Sequence, residues 1–214
     1  MAISNISSGL RSGVCTSTTR PQAPFEGQMI YETDTNRVLV YDAAAWVMIA
    51  DTDQPPAIQL VKTQTVGSGV ATVTVNDAFS SDFENYRITY TGGTQSASTD
   101  VYIQLGSSTT GYFGVLYYAV TVGGGPAIAV NNNNNRADWI GGAQANQSSH
   151  VSVDLLGPFN AAYTKIRNGS YQNDNNYGTY QGEHRVATSY SSFTLGVASG
   201  TMTGGTIRVY GYRN

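Results

Sequence analysis

"GQMIYETDTNRVLVYDAAAWVMIA", residues 27–50, decides the fold class. Met29 and Tyr31 fall on one face and Ile30 and Glu32 on the other, the period of two that a pleated strand imposes. The run stops at "DTN". Asp34 and Asn36 suit a turn there, because their side chains bond nearby backbone and they tolerate the left-handed region. "RVLVYD" resumes the alternation, "AAA" makes a second short connection, and "WVMIA" supplies a third strand. The stretch predicts a three-stranded meander with Trp46 as its largest apolar group. Three short strands bury too little apolar surface to offset chain entropy. The module is therefore expected to dock on another surface or to oligomerise, with Tyr31, Tyr41 and Trp46 as its candidate attachment residues.

On the N-terminal side, residues 1–19 are polar and turn-rich and are read as an extended arm. Arg20 to Pro24 is stiffened by two X-Pro pairs, which disfavour helix. On the C-terminal side, "DTDQPPA" (51–57) has linker composition. The organisation expected is an arm and attachment module over 1–55 and a larger domain over 56–214. In the larger part, "IQLVKTQTV" and "VATVTVN" flank "GSG", a hairpin signal. "NYRITYT", "DVYIQLG", "YFGVLYYAVTV", "HVSVDLLGP", "AYTKIRNGSYQN", "YGTYQGEHRVATSY", "SFTLGVA" and "GTIRVYGY" read as further strands. That makes about nine or ten strands at spacings of roughly 8 to 15 residues with no helical pattern, the signature of a two-sheet sandwich of jelly-roll type. "NNNNN" (131–135) and "NDNNYG" (173–178) are expected to be polar loops. No fixed period indicates a solenoid.

Composition agrees with an all-β chain. Of 214 residues, 24 are Gly and 15 are Tyr, and lysine occurs only at Lys62 and Lys165. Charged residues are 12%, about half the usual ~25%. Few helix formers and many Val, Thr, Tyr and Gly mean strands joined by tight turns. Net charge is −3 and no basic run is present, so nucleic acid is not expected as a partner. Cys15 is the single cysteine, which excludes an intrachain disulfide and a thiolate metal site built from this chain alone. "MAISNISSGLRSGVC" lacks the apolar core of a signal peptide, and no stretch is long and apolar enough for a helical membrane span.

Constellations that carry chemistry are sparse. His150 and His184 lack metal-ligand spacing and are read as solvent-facing or satisfied strand histidines. Cys15 has no activating neighbour in sequence and is read as an inert thiol. A glycosidase needs two converging carboxyl groups; Asp138 and Asp154 could be brought together, but no local motif singles them out. "GGG" at 123–125 precedes no helix and is read as a turn. The Asn-rich pieces offer calcium too few anionic ligands. No enzyme activity, cofactor or metal is expected. The tyrosines of 163–190 are the better signal. Tyr stacks on apolar sugar faces and also donates a hydrogen bond, so Tyr171, Tyr177 and Tyr180 are candidate glycan contacts. The competing reading places these tyrosines at subunit interfaces, where Tyr is also enriched.

"GVCTSTTRPQAPFEGQMIYETDTNRVLVYDAAAWVMI" (13–49) resembles the short β module of tail-fibre and minor structural proteins of tailed bacteriophages. Arg20-Pro21, Gly27-Gln28, Ile30-Tyr31, Glu32-Thr33-Asp34-Thr35, Asn36-Arg37, Tyr41 and Trp46-Val47 carry the resemblance. "FSSDFENYRITYT" (79–91) and "SGTMTGGTIRVYGYRN" (199–214) also resemble phage virion domains, and 92–198 is not covered. The resemblance implies a non-enzymatic structural protein on the particle exterior, assembled in the host cytoplasm, as a tail fibre or receptor-binding protein contacting host glycans. It implies a homotrimer joined to other virion proteins through residues 1–55, with no membrane insertion. The alternative is a capsid decoration or head-fibre protein without a receptor; a glycan-cleaving tail enzyme is the more distant one.

Overall fold

The computed structural model describes residues 12–51, 56–120, 127–142, 149–172 and 176–213, with the side chains of 127–134, 168–172 and 176 left undescribed. The described residues form strands, turns and irregular segments, with no helix. The chain divides into two compact units, Met1–Pro56 and Ala57–Asn214.

The small unit holds β1 (Gly13–Cys15), β2 (Met29–Glu32), β3 (Arg37–Tyr41) and β4 (Trp46–Asp51), hydrogen-bonded in that order. The meander β2-β3-β4 is antiparallel, with Ile30 opposite Leu39 and Tyr41 opposite Trp46. The sheet has four strands rather than three, because part of the expected arm pairs parallel to β2, Val14 opposite Tyr31. The arm is then tied to the first turn. Asp34 accepts from the Ser17 amide at 2.8 Å and from its hydroxyl at 2.6 Å. Asn36 has φ 52°, the left-handed geometry its side chain tolerates. In the second turn Asp42 accepts from the amides of Ala44 and Ala45, holding Ala43 at φ 75°.

The large unit holds β5 (Ile58–Thr65), β6 (Thr72–Val75), β7 (Asn85–Gln95), β8 (Val101–Leu105), β9 (Tyr112–Val120), β10 (Ala127–Arg136), β11 (Trp139–Gly142), β12 (Ser149–Leu156), β13 (Thr164–Gln172), β14 (Asn176–His184), β15 (Phe193–Val197) and β16 (Met202–Tyr212). These twelve strands form one antiparallel network that branches at β12. One arm runs β10-β9-β14-β13-β12-β7-β16-β5, and the other runs β11-β8-β15-β6, joined to β12 at Gly142 opposite Val151. The inward side chains of both arms form a single core. Phe79 stacks on Phe193 at 5.7 Å, and Tyr112 meets Trp139 edge-on at 5.1 Å. The all-β sandwich expected from composition is present, with arms of eight and four strands.

One expectation about the loops is corrected. "NNNNN" lies within β10 and is not a loop; of the second Asn-rich piece, 176–178 belong to β14 and 173–175 lie outside the described residues. The apolar strand β9 supplies a full antiparallel template to β10 on one side and β14 on the other. Backbone pairing along that template overrides the low strand propensity of Asn. Among the described residues β10 pairs only with β9, and polar side chains are well suited to an edge strand.

Candidate functional site

Two surfaces carry side chains whose arrangement asks for a partner. The first belongs to the small unit. Among its described residues, the large apolar side chains it buries are Ile30 and Leu39, whereas Val14, Phe25, Met29, Val47, Met48 and Ile49 are 43–70% exposed. Three of these are consecutive on β4, which among the described residues is the last strand of the sheet. Of the candidate attachment residues, Trp46 stands on β4, Tyr41 on the adjacent β3 and Tyr31 on β2. Trp46 is half-buried and packs on Tyr41 at 5.4 Å, and the Tyr31 hydroxyl donates to Asn36 Oδ1 at 2.9 Å. Beneath them Glu32 has no solvent exposure. Arg20 Nε and Thr35 Oγ1 donate to its two oxygens. The Arg20 hydrogen bond holds the Glu32 carboxyl below the usual carboxylate range, against the opposing effect of burial.

The second surface is on the outward face of the eight-strand arm. Along β13, Thr164 and Ile166 are buried and Lys165 and Arg167 are exposed. Register sets their neighbours. Lys165 lies between Glu183 on β14 and Leu156 on β12, and Arg167 lies between Gln181 and Asp154. On β9, Phe113 follows Glu183 and Val115 follows Gln181. These rows line a cleft of about 390 Å³, with Arg185 on its rim. The carboxylates are already engaged. Arg185 Nε donates to Glu183 Oε1 at 2.5 Å, with the guanidinium 4.1 Å above the Phe113 ring. Asp154 accepts from Arg87 Nε and Nη2 at 2.9 and 3.1 Å and from the Tyr212 hydroxyl at 2.7 Å. Burial pushes the Asp154 carboxyl up, but these donors hold it below the ordinary range. Among the described residues, no carboxylate lies within ion-pairing distance of Lys165 or Arg167.

The candidate glycan tyrosines separate. Tyr177 is 48% exposed, and Tyr171 is placed on β13 although its side chain lies outside the described residues. Tyr180 is fully buried, so it is a core residue and not a surface contact. Its inward position follows from strand alternation, with Gln181 taking the outward face. Gly114 makes room for it: a Cβ there would lie 2.2 Å from the Tyr180 hydroxyl. Tyr86, Tyr90, Tyr112 and Tyr190 are also buried, which accounts for much of the tyrosine content as core.

Within the large unit, Asp138, Asp154, His150 and His184 are not among the residues that line this cleft. Asp138 pairs with Arg136 at 3.4 Å, and burial pushes its carboxyl up, whereas Asp154 belongs to the Arg87–Tyr212 cluster. His184 is buried against Tyr112, its Nε2 3.0 Å from the Thr110 carbonyl and 2.9 Å from Ser108 Oγ. Burial lowers its pKa while the carbonyl opposes, which makes it a neutral, satisfied strand histidine; His150 is exposed. Burial and Glu32 raise the Cys15 thiol, the opposite of an activated nucleophile. Residues 173–175 of the second Asn-rich piece lie outside the described residues. Among the described residues, no group of three or more His, Cys, Asp or Glu is placed to hold a metal ion. A second, uncharged cleft of about 530 Å³ is lined by hydroxyls, among them Ser107, Thr188, Ser192 and Thr194.

Sequence reasoning missed Lys165, Arg167 and Arg185 as a group because no basic run contains them. The signal available was "TKIR", where two cations two apart on a strand must share a face. Compared with protein-family models and with curated proteins, the chain matches none.

Proposed function

We propose that this chain is a non-enzymatic structural protein of a tailed-phage particle, docked through its small unit and displaying its large unit outward as a fibre or decoration element. The observation that carries the reading is the apolar surface left exposed by the described residues of the small unit. Among its described residues two large apolar side chains are buried, and six, five of them on the sheet, are exposed. Exposed apolar area of that kind on a small module marks a protein contact, and an open β4 edge offers backbone pairing as well. The resemblance of residues 13–49 to phage virion modules supplies the class of partner, another virion protein. Threefold association belongs to the same reading. The large unit supports the displayed role by holding its own separate core.

The test is assembly. A chain restricted to 57–214 is expected to remain folded and to be missing from purified particles, while the full chain is incorporated. Incorporation of the shortened chain at the normal level would overturn the reading.

A further inference from the structure

We propose that the β9-β14-β13-β12 cleft is a binding site for a carboxylate-bearing saccharide, with Lys165 and Arg167 as the anion contacts. The chain carries 11 Lys and Arg in all and a net charge of −3. Three of those cations, Lys165, Arg167 and Arg185, converge on one cleft whose lining holds one carboxylate, Glu183, bonded by Arg185; Asp154, opposite Arg167 in register, lies outside the lining and is bonded by Arg87 and Tyr212. Two cations are left facing the cleft. Both stand on a central strand of a broad sheet, paired on each side, so their spacing is fixed before any ligand arrives. Preorganised donors of this kind lose little entropy on binding.

The remaining lining selects the class of anion. Half-buried Val115 and Leu156 give an apolar floor, and the exposed Gln181 amide gives a donor and an acceptor. A sugar ring presents that combination: C–H faces for the floor, hydroxyls for the amide and a carboxylate for the Arg167 fork. The volume lies in the roughly 300–1,000 Å³ range of small-ligand sites. A nucleic acid strand fits less well. It needs a basic track and exposed rings for base stacking, and the Phe113 ring is covered by Arg185. The inference deepens the proposed display role by naming what the exposed unit would meet, yet the site is complete in the large unit alone.

The probe is tri-galacturonate, titrated into the full-length chain in low salt by calorimetry, with neutral trigalactose, inorganic phosphate and a short oligonucleotide as comparators. Tri-galacturonate is expected to bind, and trigalactose at least tenfold more weakly. The double variant Lys165→Ala, Arg167→Ala is expected to weaken tri-galacturonate at least tenfold with an unchanged circular dichroism spectrum. Lys62→Ala, a cation outside the cleft, should leave binding unchanged. Absence of tri-galacturonate binding, equal binding of trigalactose, or an unaffected double variant would overturn the site. Phosphate or the oligonucleotide binding as tightly as tri-galacturonate would overturn the saccharide assignment. Particle incorporation plays no part in this measurement, so its result is separate from that of the assembly test.

Discussion

Glu32 sits without solvent exposure beneath the sheet of the small unit, bonded by Arg20 and Thr35. Its folded pKa is depressed below the ordinary value of 4.5. A depressed carboxyl binds fewer protons folded than unfolded, so its stabilisation is present above the unfolded pKa and is lost as pH falls through the folded one. The small unit is therefore expected to weaken as pH drops below about 4.5, and Glu32→Gln should be less stable at neutral pH and show a flatter acid profile. Amide resonances of residues 28–41 followed through a pH titration of the full chain will check this. An acid profile unchanged by the substitution would contradict it. A second residue-scale expectation concerns Gly114. Its missing Cβ leaves room for the Tyr180 hydroxyl and for the Gln181 carbonyl, 2.8 Å from the Cβ position. Gly114→Ala should cost about 1–3 kcal/mol by overpacking, read as a shift in the chemical-denaturation midpoint. The alternation in "NYGTYQGEHR" already put Tyr180 and Gln181 on opposite faces. Which face was inward needed the packing of Trp139 and Tyr112.

At the scale of elements, β4 decides the character of the small unit. Its central residues are exposed in succession, so Trp46 is a half-buried cover for Tyr41 rather than a core plug. Trp46→Ala should cost about 1–2 kcal/mol, an aromatic pair plus partial burial, below the ~3–5 kcal/mol of a fully buried aromatic. Denaturant unfolding of the full chain gives the value; a loss above ~3 kcal/mol would show that Trp46 is a core residue. Met48→Glu with Ile49→Lys places charges on the open edge and should abolish particle docking without unfolding the sheet, and normal docking of that variant would remove β4 from the contact. The meander was legible because its alternation and turn residues are local. β1 and β10 were not, since Gly13–Cys15 and the Asn run become strands only by pairing with β2 and β9.

At the scale of the whole molecule, the two units differ in self-sufficiency. Among the described residues, the single core of the large unit draws on Val66 and later residues, with Val61 packed against it, so a chain of 57–214 should unfold in one cooperative transition. A broad, non-cooperative melt by circular dichroism would contradict that. The full chain should scatter light as about three copies, with association lost in the β4 charge variant; a stable monomer at micromolar concentration would refute the threefold reading. Composition and period-two alternation by themselves determined the all-β class, because few helix formers, many turn residues and strand patterning act locally. They also marked "DTDQPPA" as a change in composition next to the boundary between units. Tertiary structure alone decided which tyrosines are core and which are surface, since both kinds alternate identically along their strands. It alone placed Arg185 beside Lys165 and Arg167, because cross-strand register, not spacing along the chain, sets which charges meet.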